Sequence, residues 1–150
     1  MMSMTLLGES PDLDAALKIF LSTGHNAALG LTDAAYGPGW IQYRLPWRAE
    51  LAATGASRLI DPSAIYSLLD AACAMTVWAR TGKFAPYPTL DFRVDYLRAP
   101  TPGADIIGRG ECYAITPDYA FMRGIAHEGD PANPVAHCSG AFMSYKERAS

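Results

Sequence analysis

One segment constrains this chain more than any other. Residues 61–82, DPSAIYSLLDAACAMTVWARTG, read as a helix that is apolar on nearly every side. Asp61 is a residue type that caps helix starts, and Pro62 suits the first helical position. Gly82 stops the helix, and Arg80 falls in the last turn, where it complements the helix dipole. The pattern predicts one helix over about residues 62–80. A helix with no polar face has to be buried. Its longest strongly apolar stretch, Ala71–Ala79, is too short to span a bilayer, so the cover has to come from the rest of the chain.

The segments after this helix supply the cover. The period changes from helical to two over Thr89–Leu97. Leu90, Phe92, Val94 and Tyr96 fall on one face, and Thr89, Asp91, Arg93 and Asp95 on the other. Three further strands are predicted, over about residues 105–115, 119–128 and 135–145. Turns at Pro102-Gly103, Pro117-Asp118 and 129–134 separate them. One face of each is made of small residues: Gly108, Gly110, Cys112 and Ala114; then Ala120, Gly124 and Ala126, with Met122 between; then Ala136, Cys138 and Gly140. Glycines in strands mark close backbone approach or sharp bends. Small residues facing one way predict a strongly curved sheet wrapped closely round the apolar helix.

The N-terminal half is simpler. Residues 12–22 have the spacing of a short amphipathic helix, opened by Ser10-Pro11 and closed near Gly24. Two strands are expected around Leu29–Tyr36 and Trp40–Leu45, joined by Gly37-Pro38-Gly39. Residues 46–60 read as a loop. At 150 residues the chain suits a single domain over 1–150, with residues 1–10 expected to be a flexible N-terminus.

Composition excludes several classes. Net charge is −3 and the twelve basic residues are scattered, so no nucleic-acid surface is indicated. The N-terminus lacks a basic start and carries Glu9, Asp12 and Asp14, unlike a secretory signal, and cytoplasm is the default. Cys73, Cys112 and Cys138 form no CxxC pair and read as buried thiols, while His25, His127 and His137 show no ligand spacing. No metal and no cofactor are expected.

Several segments, taken in order, carry a resemblance to a known family. They are HNAALGL at 25–31, SLLDAACA at 67–74, PTLDFRVDYLRAPTPG at 88–103 and PVAHCSGAF at 134–142. In that order and spacing the chain resembles the hotdog-fold acyl-CoA thioesterases of the phenylacetate-pathway (PaaI-like) type, from about His25 to Tyr145. The resemblance implies an α+β hotdog fold, with a curved antiparallel sheet round the central helix. It implies homodimers and often homotetramers, while the scattered charge and the short apolar stretch lead to the expectation of no nucleic-acid or membrane partner. It also implies hydrolysis of acyl-CoA, the CoA being part of the substrate, with its arm along the subunit interface. An acid in the central helix is the base or nucleophile of such enzymes, and Asp70 matches it. A hydroxyl residue opening the next strand assists, and Thr89 matches that place.

The residues themselves bear on this. A carboxylate within an apolar helix needs a partner or a raised pKa. Asp70 can serve as a base or nucleophile toward a thioester carbonyl, or tie up loop N–H groups. Ser63, Ser67 and Ala74 share its stripe. Ser67 can orient Asp70 or bond back to the helix backbone. Ala74 stands where some relatives have a second hydroxyl. Thr89 can be structural instead, and Arg98 is a candidate for a CoA phosphate or a solvated cation. His25 and Asn26 are read mainly as serving the fold.

Thioester hydrolysis also needs donors for an oxyanion, and a helix N-terminus supplies them. Asp70 lies eight residues beyond Pro62, about 12 Å along the helix. One helix can hardly serve both roles on one carbonyl, so two antiparallel helices of a twofold dimer are expected to share the site. At the helix start, relatives commonly carry His-Gly-Gly or Asn-Gly-Gly. Here the positions are Asp61, Pro62 and Ser63, and proline has no N–H. Ser63 and Ala64 offer N–H groups, for which an N-cap Asp61 competes.

The leading expectation is a thioesterase acting on a medium-chain or aromatic acyl-CoA. The alternative is a non-catalytic acyl-CoA or lipid-binding hotdog protein, because of Asp61-Pro62. A hotdog hydratase ranks last, since no histidine lies on the central helix. A cone-shaped fold with a helix in a curved sheet is the fold alternative. Paired antiparallel about Phe92, two copies of the strand would oppose Asp91 and Arg93.

Overall fold

The computed structural model describes residues 12–54, 56–84 and 87–144. The expected flexible stretch 1–10 and the last residue of the expected final strand, Tyr145, lie outside the described residues. The helices are α1 (Leu13–Ser22), α2 (Gly24–Leu29), α3 (Pro62–Ala74) and α4 (Thr76–Thr81). The strands are β1 (Thr32–Gly37), β2 (Trp40–Leu45), β3 (Thr89–Tyr96), β4 (Ile106–Ile115), β5 (Tyr119–His127) and β6 (Ala136–Met143). They form one sheet in the order β1-β2-β4-β5-β6-β3, and every pairing is antiparallel.

The small-residue faces do what their pattern predicts. A Cβ on Gly108 would stand 2.5 Å from Cγ of Leu68, and one on Gly110 would stand 2.7 Å from the Ala72 carbonyl oxygen. The β4 backbone therefore touches α3 directly, and any side chain there would push the helix away. Leu68, Leu69, Ala72 and Cys73 of α3 are buried against Ile41, Tyr43, Met122 and Phe142 of the sheet. All three cysteines are buried free thiols, with Cys73 and Cys138 Sγ atoms 4.0 Å apart between helix and sheet.

Four details differ from the sequence expectations. First, the helix predicted over 62–80 is broken at Met75 into α3 and α4. The Thr76 hydroxyl is fully buried, and it donates to the Cys73 carbonyl at 2.7 Å. That local bond competes with the helical ladder at this carbonyl. Second, α1 starts at Leu13 rather than at residue 12 and is capped by Asp12, whose Oδ1 accepts the Ala15 N–H at 2.8 Å, while the expected opening at Ser10-Pro11 lies outside the described residues. Third, residues 24–29 form α2, ended by Gly30 in the left-handed region at φ 72°, so β1 begins at Thr32 and not at Leu29. Fourth, the 46–60 loop contains a 3₁₀ turn at Ala49–Leu51 and a bridge between Ala52 and Ile60. Among the described residues, no helix is long and apolar enough to cross a membrane.

Candidate active site

The site is built on α3 and the edge strand β3. Asp61 starts α3. Its backbone N–H is held by the Leu51 carbonyl at 2.7 Å, and its Oδ1 accepts both the N–H of Ser63, at 2.8 Å, and the Ser63 hydroxyl, at 2.5 Å. The Ser63 hydroxyl and then its N–H hold the Asp61 carboxyl below its ordinary pKa. The Asp61 carbonyl takes the Ala64 N–H at 3.0 Å. Pro62 has no N–H to offer. The first donors of the helix are thus engaged within the chain.

Asp70 is a different acid. It lies in the third turn of α3, half-buried. Burial pushes its carboxyl above the ordinary value, and the hydrogen bond from Thr89 works against that shift. The Thr89 Oγ1 donates to Asp70 Oδ1 at 3.0 Å. The strand alternation places Thr89 on the outward face with Asp91, yet the bond exists because β3 carries a register shift between Thr89 and Asp91. Thr89 pairs with Phe142, a fully buried residue, while Phe92 pairs with Gly140. The extra residue, Leu90, is left 57% exposed rather than joining the apolar face. One bulge therefore turns a hydroxyl inward onto the helix acid.

The other sequence candidates are spread around this pair. Ser67, one turn before Asp70, has its Oγ 3.1 Å from Nε2 of His25, so α2 is tied to α3 there. Ala74 is the last residue of α3 and is half-buried. Arg98 lies beside Pro62 and Ile65 at the start of α3, and its guanidinium pairs with Glu128 at 3.0 Å and with the Asn133 carbonyl at 2.9 Å. Glu128 also accepts the N–H and hydroxyl of Thr101, so Arg98 belongs to a loop network.

Two tyrosines were not among the sequence candidates. The Tyr66 hydroxyl donates to the Phe92 carbonyl at 3.1 Å, and the Tyr96 hydroxyl donates to the Pro62 carbonyl at 2.9 Å. Together they brace β3 against the first turns of α3. The signal was present: Tyr66 precedes Asp70 by four residues, and Tyr96 sits on the helix-facing side of the predicted strand. Beside them a groove of about 430 Å³ runs along Ile60, Pro62, Ile65, Tyr96, Leu97 and Pro100. Among the described residues, no group of His, Cys, Asp or Glu could hold a metal ion.

A curved six-stranded sheet round a central helix, with an acid on that helix facing a strand-opening hydroxyl, defines a hotdog-fold protein. The thioesterase superfamily model matches residues 63–134. A solved protein from Pseudomonas aeruginosa is 35% identical, with TM-score 0.78, covering 89% of this chain and 98% of its own. The chain belongs to the thioesterase superfamily. Zebra fish thioesterase superfamily member 2 shares the fold at 16% identity, with TM-score 0.76 over 89% of this chain and 99% of its own. A variant of the phenylacetic acid degradation protein PaaI from Thermus thermophilus does so at 24% identity, with TM-score 0.67 over 79% and 96%. No curated protein matches the chain significantly.

Proposed function

We propose that this chain is an acyl-CoA thioesterase that hydrolyses a medium-chain or aromatic acyl-CoA at a site shared between two subunits. One observation carries the proposal: Asp70 is a half-buried carboxyl with a raised pKa, held on one oxygen by Thr89 and set on the central helix. A carboxylate made more basic by burial is suited to take a proton from water. In the reaction the water oxygen bonds to the thioester carbonyl carbon while Asp70 takes the water's proton. The tetrahedral oxyanion then collapses, the C–S bond breaks, and the CoA sulfur takes that proton from Asp70. The products are the free acid and CoA thiol.

The shared site is supported by β3. Among the described residues it is an edge strand with one unpaired side, and Leu90, Tyr96 and Leu97 on or beside it are exposed. Pairing of two β3 strands would bring two copies of α3 side by side, Asp70 of one subunit toward the helix start of the other. The apolar groove at Ile60 and Leu97 has a size usual for small-molecule sites and suits an acyl chain or ring.

A second reading has its own observation. The Asp61 carboxylate occupies the Ser63 donors, which favours a protein that binds acyl-CoA or lipid without turnover. The two are separated by thiol release across a panel of acyl-CoAs, with binding measured in parallel. The proposal expects release that Asp70→Asn abolishes, with the fold intact by circular dichroism. Tight binding with no release by the native chain would select the second reading.

A further inference from the structure

The helix start of this thioesterase is short of donors. Pro62 has no N–H. The Ser63 N–H and O–H both go to Asp61 Oδ1, and the Ala64 and Ile65 N–H groups go to the Asp61 carbonyl at 3.0 and 3.4 Å. An oxyanion arriving here meets claimed backbone donors and a carboxylate. Catalysis of acyl transfer needs donors placed where charge develops.

β3 brings a different donor to the first turn of α3, on the carbonyl side of Pro62. The Tyr96 hydroxyl stands 2.9 Å from the Pro62 carbonyl oxygen, in the first turn of α3. The strand holds its position: Tyr96 pairs with Ala136, and Val94 with Cys138, in the β3–β6 ladder. The ring borders the apolar groove beside Pro62. The residue is 46% exposed, so the hydroxyl can turn without disturbing the core.

The two hydroxyls at the helix start differ in what holds them. Ser63 donates to a charged carboxylate at 2.5 Å. Tyr96 donates to a neutral carbonyl. Charge-assisted bonds are about twice as strong as neutral ones, so Tyr96 is the hydroxyl released at lower cost. Tyr66 is engaged elsewhere, donating to the Phe92 carbonyl of β3.

We propose that the Tyr96 hydroxyl is the oxyanion donor of this chain, in place of the N–H that Pro62 lacks. The inference rests on the thioesterase reading above, with the helix start of one subunit meeting Asp70 of the other. As water adds and Asp70 takes its proton, negative charge builds on the thioester oxygen. The Tyr96 O–H then turns from the neutral Pro62 carbonyl to this stronger acceptor. No proton is transferred from Tyr96, and the hydrogen bond returns to Pro62 when the C–S bond breaks. Because the better acceptor exists only in the transition state, the gain falls on kcat rather than on substrate binding.

The test uses steady-state thiol release by the full chain. Tyr96→Phe keeps the ring and removes the donor, and kcat is expected to fall about a hundredfold at nearly constant KM. Adding Pro62→Gly to that variant supplies an N–H at position 62, and kcat should recover about tenfold. A hydroxyl that merely braces β3 would show no such rescue, because glycine loosens the helix start further. Should Tyr96→Phe not fold, Pro62→Gly alone decides: a second donor is expected to raise kcat several-fold, and an unchanged or lower kcat overturns the proposal. Turnover by Tyr96→Phe within twofold of the native chain overturns it too. If Asp70→Asn is then inactive, the thioesterase reading still stands. A native chain that releases no thiol from any acyl-CoA overturns both.

Discussion

Asp61 and Asp70 are the same residue type on the same helix, and the fold gives them opposite properties. Asp61 sits at the first turn, where the Ser63 hydroxyl and N–H stabilise its charge and lower its pKa. Asp70 sits in the third turn, where burial penalises its charge and raises its pKa against a single donor from Thr89. The helix start wants an anion, and the helix middle tolerates one only at a cost. The comparison separates a carboxylate that secures structure from one that burial penalises, the property on which its proposed part in proton transfer rests.

The sharpest way to break this contrast is to remove each carboxylate. Asp70→Asn is expected to lower kcat about 10²- to 10⁴-fold, the usual contribution of a general base, in the thiol-release assay. The same variant should melt at an equal or higher temperature at neutral pH. The reason is one of sign. A folded-state pKa above the unfolded value means that Asp70 favours the fold when protonated, and that this stability is lost as pH rises through its folded pKa. Lower melting at pH 7 for Asp70→Asn would show that the ionised acid is held by partners rather than penalised.

Thr89→Val removes the donor that works against burial. The acid limb of kcat/KM is expected to move up by about one pH unit, since losing a hydrogen bond to a charged group is worth about that much. An unmoved limb would mean that Thr89 does not touch the ionised form. Asp61→Ala should cost about 1 kcal/mol of stability in denaturant melts through loss of the cap, with far less effect on kcat than Asp70→Asn. Its pH signature is the opposite one. The depressed pKa of Asp61 contributes stability present above its unfolded pKa and lost as pH falls through the folded value. The difference in melting between Asp61→Ala and the native chain should therefore shrink in acid. A difference that persists to low pH would remove Asp61 from the capping role.

Much of this was legible in the residues. The Asp61-Pro62 helix start, the small-residue faces of β4–β6 and the position of Asp70 all follow from local chemistry and period. The residues that were misread are instructive. The alternation of β3 sends Thr89 outward, and only the pairing with β6 reveals the bulge at Leu90. The break at Met75 depends on where the Thr76 hydroxyl lands once buried beside Cys73 and Met122. The partner of Arg98 is likewise set at long range, by Glu128 thirty residues away in sequence.

By itself the sequence determined that a helix apolar on nearly every side must be wrapped, which strands could approach it, and that one acid would be stranded in its middle. Those results rest on burial and on side-chain size, which neighbouring residues largely dictate. Only the tertiary structure decided which hydroxyl reaches that acid, which donors at the helix start are already claimed, and that Tyr96 stands over Pro62. Those are matters of hydrogen-bond partnership between segments far apart in the chain. A shift of one residue in register changes the partner, and no local pattern records it.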